Sequence, residues 1–144
     1  KSIDMLPQII VASVCVLLTL YGLLRRNRVF FNLGYFLFGL VVVTSEFSFF
    51  AKDPAPIHLA TAFLWMIQIS LALPNKLPYD GSKIAKSAAV KVYVCLSLIN
   101  IFGVYIVQVS DVPDVAQYFH IILAVLPLVP IYLVLNDKIE ITQE

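Results

Sequence analysis

The feature that most constrains this chain is a run of mostly apolar residues, 29–50, with very different sequences at its two ends. Arg25, Arg26 and Arg28 come before the run, and a turn at 52–56 that holds two prolines comes after it. A helix of roughly 20 apolar residues crosses a hydrocarbon core about 30 Å thick. The run therefore predicts a membrane-spanning helix with a strongly basic end.

Four other apolar runs occur in the chain, separated by polar or proline-containing breaks. Overall, 60% of the residues are hydrophobic and 13% are charged, whereas soluble domains average about 25% charged residues. The sequence therefore predicts an all-α fold: a single polytopic membrane bundle over residues 1–144 with five transmembrane helices. The predicted spans are residues 5–24, 29–50, 57–73, 87–109 and 116–135. In the last span Pro127 and Pro130 lack a backbone N–H, so we expect a kink there.

The distribution of lysine and arginine predicts the orientation of these spans. Short cytoplasmic loops are enriched in both residue types. The loop at 25–28, the region 74–86 and the C-terminal tail carry most of them, whereas Lys1 and Lys52 fall on the opposite side. We therefore expect the N-terminus outside and the C-terminus in the cytoplasm, in a plasma membrane or an inner membrane.

Three ionisable residues are predicted to share one outer layer of the membrane. Glu46 is the acidic residue that falls inside an apolar run, about 6 Å from the outer end of its span. His58 and His120 lie near the outer ends of the third and fifth spans. Imidazole and carboxylate groups can bind a divalent metal such as zinc, or exchange protons near neutral pH. Two histidines on different helices can also be the axial ligands of a haem.

The same three residues have a simpler interpretation. Each lies close to the predicted headgroup region, where the polar ends of side chains reach water by snorkelling. A shared depth also does not imply that three helices turn these groups toward one another. Gln68 and Asn100 are interpreted as residues that form hydrogen bonds between helices.

Charge and motifs narrow the possible functions. A net charge of +1, with no basic stripe interleaved with aromatic residues, gives no indication of nucleic-acid binding. The sequence contains no nucleophile–base pairing, phosphate-binding glycine loop or cysteine-based metal motif, so an enzyme is not favoured. It identifies no cofactor, and it leaves haem, metal, pigment and quinone open.

The small size, short loops and aromatic-rich second span favour a non-catalytic structural or accessory subunit of a larger membrane assembly. The expected partners are the lipid bilayer and either other membrane subunits or further copies of this chain. One alternative is a small oligomeric transporter or channel that uses Glu46, His58 and His120 as an outward-facing proton or cation site. Another is a membrane redox protein that binds haem or metal.

Overall fold

The computed structural model describes residues 6–73, 82–110, 112–136 and 138. Within these residues the regular structure is helical, with no strand. The helices are α1 (Leu6–Leu24), α2 (Arg28–Lys52), α3 (Pro56–Leu71), α4 (Lys83–Val109), α5 (Val115–Val125) and α6 (Leu128–Leu135). Lys1, residues 74–81 of the predicted basic region 74–86 and most of the tail after Asn136 lie outside the described residues.

Among the described residues, four segments are long and apolar enough to cross a membrane. They are α1, α2, α4 and the 21-residue segment Val115–Leu135, which comprises α5 and α6. Helix α3 is also apolar but has 16 residues, which corresponds to about 24 Å at 1.5 Å per residue. The prediction of an all-α protein with helices able to span a membrane is confirmed.

Helix α1 and helix α2 form an antiparallel pair joined by a very short turn. The Asn27 side chain accepts hydrogen bonds from the backbone N–H groups of Val29 and Phe30, which caps the first turn of α2. Gly22, near the end of α1, lies directly against the backbone of Phe31, and a Cβ there would overlap with it. The close approach at this glycine lets α1 pack mainly on α2.

Helix α4 begins at Lys83, one turn before the predicted boundary at 87. Ser82 is its N-cap, and Ser82 Oγ accepts a hydrogen bond of 3.2 Å from the Ala85 N–H. Lysine is a good helix former, and its long side chain reaches water from a membrane surface. A basic stretch that reads as a loop by hydropathy is therefore the first turn of a helix.

Helix α2 packs against α1 and α3, and α4 packs against α5 and α6. Tyr35, Trp65, Leu96 and Leu123 are fully buried between these helices. We call the end of the bundle that carries the turn at 25–28 the basic end, and the end where α2 connects to α3 the distal end.

The last apolar segment is interrupted around Pro127, where the sequence predicts a kink. Pro127 has no backbone N–H to donate to the carbonyl of Leu123, four residues earlier. The Tyr35 hydroxyl of α2 donates to that carbonyl instead. Ser97 Oγ of α4 donates to the next carbonyl, that of Ala124, at 2.6 Å. Neighbouring helices thus satisfy the backbone groups that the break leaves free.

Tyr35→Phe is expected to lower the free energy of unfolding by about 1–2 kcal/mol, because it leaves the Leu123 carbonyl buried without a donor. In a Pro127→Ala background the cost should be smaller, since a backbone N–H at 127 can donate to the same carbonyl. Unfolding in SDS, followed by circular dichroism, measures both costs. Tyr118→Phe, which changes an exposed tyrosine of α5, is the control. Equal costs of Tyr35→Phe in both backgrounds would contradict this account.

Candidate functional site

Glu46 and His58 form a buried pair at the distal end of the bundle. In the connection between α2 and α3, the Ala55 N–H donates to the Asp53 carbonyl at 2.7 Å, and Pro56 begins α3. This tight reversal places the first turn of α3 beside the end of α2. His58 Nδ1 lies 2.6 Å from Glu46 Oε2.

The pair is almost completely shielded. Glu46 is 5% exposed and His58 is 8% exposed. The Phe49 ring, one turn further along α2, lies 5.5 Å from the His58 ring, centroid to centroid. A buried carboxylate is costly unless it is paired, and His58 supplies a hydrogen bond and, when protonated, the opposite charge.

His120 projects from α5 into the centre of the bundle, where it is 6% exposed. Its ring packs against Trp65, with centroids 5.2 Å apart, and against Phe38, with centroids 5.4 Å apart. Gly103 of α4 faces the same ring so closely that a Cβ there would lie 2.6 Å from His120 Nδ1. Contacts from three helices therefore fix the position of this imidazole.

A chain of hydrogen bonds joins α2, α3, α4 and α5. Asn100 Nδ2 donates to Gln68 Oε1 at 2.9 Å and to the Leu96 carbonyl at 2.8 Å. Gln68 Nε2 donates to the Tyr35 carbonyl at 3.0 Å. The amide oxygen Oδ1 of Asn100 can only accept, so His120 Nδ1, 3.2 Å away, carries the hydrogen of this bond. In the neutral ring Nε2 is then an acceptor.

A cavity of about 100 Å³ lies at the distal end, bordered by α1, α2, α3, α4 and α5. Most of its walls are apolar, and its polar borders are Gln8, Ser45, Glu46, Thr61 and His120. Two buried atoms of lining residues, Gln8 Oε1 and Trp65 Nε1, have no hydrogen-bond partner among the described residues. The cavity therefore combines a carboxylate and an imidazole with mostly apolar walls.

The structure brings two of the three ionisable residues named from the sequence into contact. Glu46 pairs with His58, whereas His120 pairs with Asn100 and shares only the cavity with Glu46. In the part of the chain that the structure describes, no three His, Cys, Asp or Glu side chains form a group able to hold a metal ion. The metal and haem hypotheses stay predictions without support from this geometry. Gln68 and Asn100 are hydrogen-bonded to each other.

Three residues of this region are not found by sequence reasoning: Gln8, Tyr35 and Trp65. A tyrosine inside an apolar run is a usable signal, since its buried hydroxyl needs a partner, and Pro127 leaves a carbonyl without a donor in another span. For Gln8 and Trp65 no comparable signal exists, because their role depends on which face of each helix meets the cavity.

Comparisons with protein-family models, with curated proteins and with solved structures each find no match. The class of protein is therefore defined by the fold and the site alone. This is an all-α protein with helices long and apolar enough to cross a membrane. A cavity and a buried carboxylate–imidazole pair lie at one end of its bundle.

Proposed function

We propose that this protein is a small membrane transporter or channel in which Glu46 and His58 form the proton-binding group. The observation that carries this proposal is the position of the buried pair at the border of a cavity. Ionisable residues within membrane spans are costly and usually have a function. A carboxylate and an imidazole that share a hydrogen bond beside a cavity suit the uptake and release of a proton.

The proposal includes five membrane crossings. Arg26 Nη1 donates to the Lys138 carbonyl at 2.9 Å, so the α1–α2 turn and the start of the tail lie at the same end. An even number of membrane crossings must therefore separate them. Helix α2, helix α4 and the segment Val115–Leu135 give three crossings, and α3 gives the fourth. Helix α3 is about 24 Å long, which is short for a hydrocarbon core of about 30 Å, and its ends then lie at the membrane surfaces.

The lysine and arginine bias supports a cytoplasmic basic end, which leaves the N-terminus and the Glu46–His58 pair facing outward. In a background without Cys15 and Cys95, an impermeant maleimide should label Arg25→Cys and Asn136→Cys from one side. It should label Asp53→Cys from the other side. Labelling of Arg25→Cys and Asp53→Cys from the same side would contradict the five-crossing arrangement.

Five spans in one chain enclose little of a pathway, so transport also requires several copies to associate. The accessory-subunit function stays a prediction from the sequence. The exposed apolar side chains of the bundle suit contact with lipid and contact with a partner helix equally well, and so favour neither.

Glu46→Gln is expected to lower proton flux at least about tenfold, because the amide keeps the shape of the carboxylate but cannot take up a proton. The measurement uses proteoliposomes loaded with a pH-sensitive dye and given an outside pH step, with the membrane potential clamped by potassium and valinomycin. Flux is compared with that of protein-free vesicles of the same lipid.

Thr44→Ala is the matched control for this experiment. Thr44 lies on the same helix, is exposed, and its hydroxyl donates only to carbonyls of α2. The proton flux of the Thr44→Ala variant should equal that of the unchanged protein. Equal flux in the unchanged protein, Glu46→Gln and protein-free vesicles would overturn the proposed function.

A further inference from the structure

We propose that the cavity at the distal end binds a small primary amine in its ammonium form. This inference rests on the proposed function, because the Glu46 carboxylate is both the proposed proton-binding group and the group that would pair with the ammonium of the ligand. It adds the class of solute that enters the cavity and the groups that select it.

Two hydrogen-bond acceptors border the cavity. Glu46 uses Oε2 for His58, which leaves Oε1 for a ligand. His120 donates through Nδ1 to Asn100, which leaves Nε2 as an acceptor in the neutral ring. An ammonium group has three donors, and two of them match this pair of one charged and one neutral acceptor.

The remaining walls suit a cationic ligand with a short hydrocarbon part. Aromatic rings supply much of the lining, and they belong to Phe38, Phe49, Trp65 and Phe119. The face of an aromatic ring attracts an ammonium group when the two are shielded from water. An apolar cavity of roughly 150 Å³ binds benzene, so a volume of about 100 Å³ suits a somewhat smaller ligand.

The charge around the cavity favours a cation over an anion. The titratable side chains that line it are Glu46 from α2 and His120 from α5, with His58 from α3 behind Glu46. Within the described lining, α1 and α4 contribute no titratable side chain, and no helix contributes a lysine or an arginine. With His58 neutral, the Glu46 carboxylate is the charge that a ligand ammonium meets.

The test is a binding measurement on the detergent-solubilised full chain, which involves no flux. Trp65 is the single tryptophan of the sequence, so its fluorescence reports on the cavity directly. The probes are alaninol, sec-butylamine and isobutanol, which have equal numbers of non-hydrogen atoms. Alaninol should give a saturable change. Binding of sec-butylamine, which is also an amine, should be similar, and that of the uncharged isobutanol at least about tenfold weaker.

Two variants separate a specific site from partition into detergent. Glu46→Gln should weaken alaninol binding at least about tenfold, whereas Thr44→Ala should leave it unchanged. Ala116→Leu, which adds volume at the cavity border and retains Glu46, should also abolish saturation. Size-exclusion chromatography and circular dichroism verify that each variant is folded. A linear, non-saturating response to alaninol in the unchanged protein would overturn the inference, as would equal binding of all three probes.

The two experiments fail in distinguishable ways. Glu46-dependent proton flux without saturable alaninol binding would overturn the inferred solute class and leave the proposed function standing. Saturable, Glu46-dependent binding without Glu46-dependent flux would support the amine site and overturn the transport function.

Discussion

Replacing His58 with leucine is expected to lower the free energy of unfolding by about 2–3 kcal/mol, because it leaves the buried Glu46 carboxylate without its hydrogen-bond donor. Glu46 is 5% exposed, and His58 Nδ1 is the partner of its Oε2 at 2.6 Å. With leucine at 58, the carboxylate loses this donor while the surrounding walls stay apolar. The loss is therefore dominated by the unpaired carboxylate, and not by the packing of the imidazole.

Replacing Glu46 with leucine should lower the free energy of unfolding by less than His58→Leu does. In Glu46→Leu the remaining imidazole of His58 can stay neutral, so no charge is left buried. The double variant Glu46→Leu/His58→Leu should recover part of the loss, because apolar replacements of buried ion pairs are often well tolerated. The cost of each single change, compared with that of the double variant, gives the coupling between the two residues.

Unfolding in SDS, monitored by circular dichroism, provides these free energies. Thr44→Ala is the control, and it should lie within about 0.5 kcal/mol of the unchanged protein because its side chain is exposed. If His58→Leu cost less than Glu46→Leu, the charge of the carboxylate would not be what His58 stabilises.

Much of the fold can be predicted from apolar runs and their breaks, because burial in lipid requires a continuous apolar helix. The break in the last segment follows from Pro127, which cannot donate to the carbonyl four residues earlier. The contact of Glu46 with His58 is also within reach of sequence reasoning. The two residues are separated by a short proline-containing turn, so they must lie at the same end of adjacent helices.

The position of His120 could not be predicted in the same way. Apolar runs give the depth of a residue along its helix, but they give no rotation about the helix axis when every face is apolar. His120 reaches the cavity because α5 docks on α4 at Gly103. The same limit applies to Trp65, whose indole Nε1 has no hydrogen-bond partner among the described residues because of the way that α3 faces its neighbours.

The hydrogen-bond chain through Asn100 is the feature that fixes the rotation of several helices at once. Asn100 is fully buried, and its amide contacts Gln68 from α3 and His120 from α5. Interhelical hydrogen bonds in membranes average only about 0.6 kcal/mol each. A buried polar group that loses its partner, however, costs about 1–3 kcal/mol.

Asn100→Leu is therefore expected to lower the free energy of unfolding by about 2–3 kcal/mol, because Gln68 Oε1 and the His120 Nδ1–H both lose their partner. Adding Gln68→Leu to the Asn100→Leu variant should lower the free energy of unfolding by less than Gln68→Leu does alone. The expected coupling between the two positions is about 1 kcal/mol. Gln108→Leu is the matched control, since Gln108 is an exposed amide on the same helix, and it should not be destabilising. Additive costs at 68 and 100, measured in SDS, would mean that the two amides do not act as one unit. The registration of α3 against α4 would then depend on apolar packing alone.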